Sequence, residues 1–273
     1  MKLKLYKALW GMTGRLEDQV KMIAEAGYHG IETPPPEPAN QAVFRSLLDQ
    51  YSLEFMGCIF TQGNNTEEHL QSFRDQLKNN LPWKPVKVIT HSMRDFYPLA
   101  EQVKFYREAV KIEKDTGIHI GHETHRGRSL YSPWSTRAIV EAVPDLHLNI
   151  DFSHWCAVTE TSLEEFQEEI QISARRAVHI HGRVGHPQGP QVADPRAPEY
   201  AELVDKHFSW WDSVVNAQIQ RGDTDTITFD PEFGPPGYMP TLPFTRQPVA
   251  DLWEVCLWMA NRFRDHFKEK FGD

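Results

Sequence analysis

Cysteine and long apolar runs are both scarce in this sequence of 273 residues. The three cysteines, Cys58, Cys156 and Cys256, are far apart and form no CxxC pair, which argues against a disulfide framework and a cysteine zinc site. No stretch approaches the roughly 18 apolar residues of a membrane helix, and the first residues lack the apolar run of a signal peptide. We therefore expect a cytoplasmic protein with no membrane partner.

Excess positive charge is absent too, since the formal net charge is -9. An acidic chain repels phosphodiester backbones, and no local cluster of Lys and Arg offsets this, so we expect no nucleic-acid partner. The sequence also lacks a Ser/His/Asp order, a nucleophile elbow, a Walker loop and a dinucleotide fingerprint.

What the sequence does contain is an alternation of short β-prone runs and longer segments with helical apolar spacing, the pattern of repeated βα units. Eight strands are predicted: Leu5–Trp10, Gly30–Thr33, Glu54–Phe60, Val86–Thr90, His119–Glu123, His147–Asp151, Val178–Arg183 and Thr226–Asp230. Eight helices alternate with them: Leu16–Ala26, Gln41–Gln50, Thr66–Asn79, Leu99–Lys114, Ser135–Ala142, Leu163–Ala174, Glu199–Gln220 and Val249–Lys270. Eight strands, each followed by a helix, predict one α/β domain over residues 1–273, a single (β/α)₈ TIM barrel.

Two connections are long and rich in proline: Gly185–Pro198 after the seventh strand and Phe233–Pro248 after the eighth. In a barrel, loops after strand C-termini stand at the mouth where chemistry occurs. They are therefore interpreted as walls or a lid over a substrate, with a dimer contact as the alternative.

Ionisable side chains cluster at the predicted ends of strands five to eight. Glu123 lies in HETHRGR, Asp151 in NIDFSHW, the histidines 179 and 181 in AVHIHGR, and Glu232 in DPEFG. Strand residues two apart share a face, which groups His179 with His181 and Asp230 with Glu232. Several buried carboxylates aimed at one centre need a compensating cation, so the pattern predicts a divalent metal.

Each residue also has an ordinary structural interpretation. An acid at a strand end often caps a helix, and Asp151 could cap the helix that begins after it. A single strand histidine is often satisfied in the core, and His119 and His147 could be of that kind or face outward. Only the coincidence over four strand ends favours the metal.

At these residues the chain resembles the xylose isomerase-like barrel superfamily, and within it the sugar isomerase/epimerase branch. The resemblance covers essentially the whole chain and implies four metal ligands, matched by Glu123, Asp151, His181 and Glu232. His181 is chosen over His179 because the branch places its ligand second in His-Xaa-His. The stretches after Glu123 and after His181 depart from the epimerase pattern. The resemblance therefore supports a metal-dependent barrel more strongly than it supports an epimerase.

The implied activity is isomerisation or epimerisation of a ketose or hydroxy-ketone through an enediolate. Glu123 and Glu232 would act as base and acid on opposite faces. One imidazole with three carboxylates suits Mn²⁺, which we prefer, and equally Mg²⁺, Co²⁺ or Zn²⁺. Seven residues are predicted to contact the carbohydrate: His154, Arg183, His186, His125, His91, Trp10 and His179.

Three alternatives stay open. The same constellation could catalyse elimination, as a lyase, a deglycosidase or a dehydratase. An endonuclease on abasic DNA shares the fold but needs further His and Asp ligands and a basic groove. A silent sugar-binding protein would have no reason to keep the acid and base. Because members of the superfamily usually associate, a homo-oligomer also stays open.

Overall fold

The chain closes into a barrel of eight parallel strands in sequential order, β1 to β8, with β8 returning to β1. The computed structural model describes residues 1–222 and 224–272. The strands are β1 (Lys2–Ala8), β2 (Gly30–Thr33), β3 (Glu54–Phe60), β4 (Val88–His91), β5 (Ile120–Glu123), β6 (Leu148–Ile150), β7 (Ala177–His181) and β8 (Thr226–Asp230). The predicted (β/α)₈ barrel is confirmed.

The helices surround the barrel. Within the described ranges they are α1 (Leu16–Glu25), α2 (Gln41–Tyr51), α3 (Thr66–Asn80), α4 (Leu99–Thr116), α5 (Pro133–Ala142), α6 (Ser153–Thr159), α7 (Gln167–Ala174), α8 (Ala201–Arg221) and α9 (Leu252–Phe271). The final helix begins later than predicted because Asp251 caps it, its side chain accepting a hydrogen bond from the Glu254 amide.

One helix, α6, is absent from the predicted set. It starts directly after the sixth strand and has only seven residues, too few to show an apolar period. Its first turn carries Ser153 and His154, which are both buried at the strand end. The first strand also differs from the prediction, because it begins at Lys2 and ends at Ala8, which leaves Trp10 in the loop beyond it.

The core lies mainly between the strands and the surrounding helices. Phe229 of β8 stacks on Phe263 of α9 with ring centroids 4.0 Å apart, and Trp211 of α8 meets Phe229 edge-on at 5.2 Å. The barrel interior holds a smaller apolar cluster of Tyr6, Met56 and Ile89. Polar side chains share the barrel with this cluster, since His179 of β7 contacts Thr228 of β8.

Candidate metal centre at the barrel mouth

Four of the predicted side chains converge at the C-terminal end of the barrel. Glu123 and His181 are the last residues of β5 and β7, Asp151 follows β6 directly, and Glu232 lies two residues beyond β8. One ligand-type atom from each lies within 4.8 Å of the others. Consecutive strands of a closed barrel bring their ends to one rim, which is why positions so far apart in sequence meet here.

His181 is at the centre of this group, and its two ring nitrogens face different partners. Nδ1 lies 3.1 Å from Glu232 Oε2 and 3.4 Å from Glu123 Oε2, whereas Nε2 lies 2.9 Å from Glu32 Oε1. Burial lowers the pKa of this imidazole, but the carboxylates of Glu232, Glu32 and Glu123 outweigh burial and hold it well above its usual value.

Glu32, at the end of β2, was missed by the sequence analysis. Its second oxygen lies 3.2 Å from His179 Nε2. Burial raises the pKa of the Glu32 carboxyl. Its contacts with His181 and His179 outweigh burial and lower that pKa to about 2. A glutamate next to the end of a short, mostly buried strand was the available signal, but nothing local connects it with histidines about 150 positions later.

Asp151 is held by Arg183, which leaves the barrel two residues after His181. Arg183 Nη2 contacts Asp151 Oδ2 directly and lies 3.2 Å from Glu232 Oε2 and 3.1 Å from His154 Nε2. Burial raises the pKa of Asp151 to about 6 against the lowering effect of this guanidinium. The other Asp151 oxygen accepts a hydrogen bond from the Ser153 amide at 3.0 Å, but Phe152 is the N-cap residue of α6, so Asp151 is not itself the cap.

Only glycine fits between His181 and Arg183. A Cβ at Gly182 would lie 1.9 Å from the ring of Phe229, far inside van der Waals contact. Because Gly182 has no side chain, the chain can pack closely against Phe229 at this point. His181 and Arg183, on either side of Gly182, then point toward the mouth.

The donor set fits a divalent cation. His181 Nδ1 and both oxygens of Glu123 are buried and accept or donate no hydrogen bond of good geometry within the described part of the chain, although His91 Nε2 lies 2.7 Å from Glu123 Oε2. Such buried polar atoms are costly unless something binds them. One imidazole and three carboxylates are ligands that Mn²⁺, Mg²⁺ and Zn²⁺ all accept.

Two further groups with metal-ligand geometry overlap this one. His91, Glu123 and His125 form the first, and Glu32, His179 and His181 form the second. Because they share Glu123 and His181 with the four-residue group, all three belong to one continuous polar centre.

A cavity of about 460 Å³ opens onto this centre, a volume within the range of small-molecule sites. Four predicted contact residues line it: Trp10, His91, His125 and Arg183. Glu32 and Glu232 also line it, whereas Glu123 lies behind His91, fully buried.

The other three predicted contact residues do not line the cavity. His154 is buried beneath Arg183. His179 lies deeper in the barrel, with its two nitrogens next to Thr228 Oγ1 and Glu32, so its position does not support substrate contact. His186 lies in the loop after β7, where it pairs with Gly189 through backbone hydrogen bonds, and its contact with a substrate stays a prediction.

Tyr238 covers the cavity, and it too was not singled out from the sequence. It lies in the proline-rich loop after β8, and its hydroxyl is 3.1 Å from His125 Nε2. Its ring meets Trp10 edge-on at 5.1 Å and lies 4.6 Å from the Arg183 guanidinium. The Gln191 side chain joins the two long loops by hydrogen bonds to the Gly234 backbone, at 2.7 and 3.2 Å.

Comparison with known families agrees with this architecture. Residues 20–212 match the family model described as xylose isomerase-like TIM barrel. The match covers more than half of the chain. The chain belongs to the xylose isomerase-like TIM barrel family. Family membership confirms the resemblance that the strand-end motifs indicated.

Solved structures of low sequence identity share the family fold. A probable 3-DHS dehydratase, AsbF, of Bacillus anthracis has a TM-score of 0.62 at 14% identity, covering 96% of this chain and 98% of its own. The 3-keto-D-glucoside 4-epimerase YcjR of E. coli has 0.59 at 13%, with coverages of 97% and 100%. A xylose isomerase-like TIM barrel protein of Mycobacterium smegmatis in complex with magnesium has 0.55 at 12%, with coverages of 98% and 95%.

A comparison of this sequence with the curated proteins found no match. Among residues 1–222 and 224–272, no helix combines the length and the apolar character that crossing a membrane requires.

Proposed function

We propose that this barrel is a divalent-metal-dependent isomerase or epimerase that moves a proton on a ketose or hydroxy-ketone. The observation that carries the proposal is the convergence of Glu123, Asp151, His181 and Glu232, with His181 Nδ1 buried and facing two of the carboxylates without a hydrogen bond of good geometry among the described residues. Those four residues are the proposed ligands. The opposite ring nitrogen contacts Glu32, an arrangement that fixes the tautomer and orientation of metal-binding histidines.

Mn²⁺ is the preferred ion, with Mg²⁺, Co²⁺ and Zn²⁺ as alternatives, because a mixed set of nitrogen and oxygen donors does not select strongly among them. When bound, such an ion supplies Lewis acidity, which makes a C–H beside a carbonyl more acidic. The magnesium complex of a structural neighbour supports this choice of cofactor class.

Proton transfer is assigned to the two glutamates. Glu232 lines the cavity with its side chain 12% exposed, so it can reach a bound sugar directly. Glu123 approaches the same His181 nitrogen from β5. In the proposed mechanism Glu232 acts on the face of the substrate that the cavity presents to it, and Glu123, which lies behind His91, acts on the opposite face of the enediolate.

The cavity lining suits a polyhydroxylated molecule. His91, His125 and Arg183 provide hydrogen-bonding groups, while Trp10, Phe60 and Tyr238 add aromatic surface. A few polar groups on an apolar wall orient a small ligand. Epimerase and dehydratase activities among the structural neighbours support a carbohydrate-like substrate.

Deuterium exchange tests the proposal. Incubating the Mn²⁺-loaded protein in D₂O with a panel of ketoses, hydroxy-ketones and 3-keto-glycosides should place solvent deuterium on the carbon beside a carbonyl and yield an isomer, as read by NMR and chromatography. A chelator should abolish exchange. Glu232→Gln should slow it by roughly 100-fold or more, whereas Glu54→Gln, which alters a barrel carboxylate paired with Lys4, should not.

Two results would contradict the proposal. Full turnover by Glu232→Gln would exclude Glu232 as the proton-transfer residue. Release of water or an aglycone without an isomer would replace isomerisation by elimination, because a carbanion beside a carbonyl can also expel a leaving group.

A further inference from the structure

A second group of metal-ligand side chains lies at the opposite, N-terminal end of the barrel. Glu113 comes from α4, while His119 and His147 directly precede β5 and β6. Their candidate ligand atoms lie within 4.8 Å of one another. The Nδ1 atoms of His147 and His119 lie 2.6 and 3.6 Å from the same oxygen, Glu113 Oε1.

The hydrogen bonds of Glu113 are unevenly distributed. Oε1 accepts from the Ile120 amide at 3.1 Å as well as facing both imidazoles. Oε2 is buried and has no hydrogen-bond partner among the described residues. If Glu113 served only to connect α4 to the strands, the contacts of Oε1 would be sufficient. The burial of Oε2 without a hydrogen-bond partner therefore needs another explanation.

The group borders a separate cavity of about 480 Å³, which also contains Arg175 and Arg176. Lys114, another lining residue, pairs with Asp145 at 2.6 Å. An ion bound by the three side chains would therefore have open space beside it. The nearby arginines favour water or a small anion as its remaining ligand.

We propose that Glu113, His119 and His147 bind a transition-metal ion of the Zn²⁺ class. Two imidazole nitrogens and one carboxylate form a donor set that zinc accepts with one position left open. Imidazole favours zinc, nickel or copper over magnesium and calcium. The ion would join α4 to the starts of β5 and β6, and this inference is independent of the proposed activity at the mouth.

Zinc stoichiometry and affinity test the site. The full chain, treated with a chelator and dialysed against Zn²⁺ in a non-coordinating buffer, is compared with His119→Ala. His119 is 59% exposed, so we expect its removal to leave the partly buried Glu113–His147 contact and the fold in place. His147→Asn is the second variant, since Asn still donates to Glu113 but is a weak zinc ligand. His266→Ala is the control, because it removes a histidine that pairs with Asp212 and packs on Phe208, outside the proposed site.

We expect His119→Ala and His147→Asn each to lose one zinc ion per chain, or to bind it at least tenfold more weakly, and to lose part of the zinc-induced rise in melting temperature. His266→Ala should keep the wild-type values. Wild-type stoichiometry and affinity in both ligand variants would overturn the proposal. It would also be overturned if the Glu232→Gln variant, in which a proposed ligand of the mouth site is removed, bound no zinc.

Discussion

The guanidinium of Arg183 contacts the carboxylate of Asp151 at the place where the mouth carboxylates converge. The same nitrogen lies 3.2 Å from Glu232 Oε2. Both acids are proposed metal ligands, so an arginine and a metal ion would draw on the same oxygens. In this structure part of the charge compensation that motivated a metal is supplied by the protein itself.

Replacing Arg183 with Gln should therefore tighten binding of Mn²⁺, by roughly tenfold or more, since each 1.4 kcal/mol of competing interaction removed is worth tenfold. Without metal the variant should be less stable by about 3 kcal/mol, because Asp151 loses a buried partner. Isothermal titration calorimetry and thermal unfolding measure the two effects.

Arg183→Lys is the matched control, because it keeps the positive charge and should lie nearer to wild type in both measurements. Equal or weaker Mn²⁺ binding by Arg183→Gln, with wild type still binding the ion, would show that arginine and metal do not compete.

Glu32 offers a second prediction, because it contacts the ring nitrogen of His181 that faces away from the proposed metal. Glu32→Gln keeps an acceptor oxygen but removes the charge that orients and polarises the imidazole. Metal affinity should fall roughly 10- to 100-fold, the usual cost of losing such a partner. Glu54→Gln is the control, and unchanged Mn²⁺ affinity in Glu32→Gln would remove Glu32 from the centre.

The strand ends explain why much of this site was predictable from sequence. In a closed parallel barrel the end of every strand reaches one rim, so a correct count of strands grouped the acids and histidines of strands five to eight, and the family resemblance selected Glu123, Asp151, His181 and Glu232 among them. The same argument could have included Glu32, yet β2 ends next to three prolines and carries a single acid, without the His-Xaa-His or Asp-Xaa-Xaa-His pattern that marked the later strands.

Side-chain partners were less predictable than strand positions. Arg183 was expected to contact substrate, and it does line the cavity. Its contact with Asp151 depends on how β6 and β7 lie side by side and on the close packing against Phe229 that Gly182 permits. Tyr238 reaches His125 across 113 positions from within an irregular loop, where no periodic pattern fixes the direction of a side chain.

His207 of α8 connects the outer helix layer to the loop that carries Arg183. Its Nε2 accepts a hydrogen bond from the Gly185 amide at 3.1 Å, and its Nδ1 donates to the Leu203 carbonyl at 2.8 Å. This arrangement requires the neutral imidazole, since a protonated Nε2 could not accept. Burial lowers the pKa of His207 to about 4, despite the opposing effect of the Leu203 carbonyl.

This lowered pKa makes stability depend on pH. Between the ordinary histidine pKa of about 6.5 and about 4, the unfolded chain binds a proton that the folded chain does not, so the free energy of unfolding should fall as the pH decreases through that window. The loss from His207 should be on the order of 3 kcal/mol at most, at about 1.4 kcal/mol per pKa unit.

His207→Gln can keep both hydrogen bonds without titrating, so its urea-unfolding free energy should fall less between pH 7 and pH 4.5. The buried histidines 122 and 179, whose pKa values are also lowered, should leave some slope in the variant. Equal slopes in the two proteins, at equal m values, would mean that His207 is not held neutral by the fold.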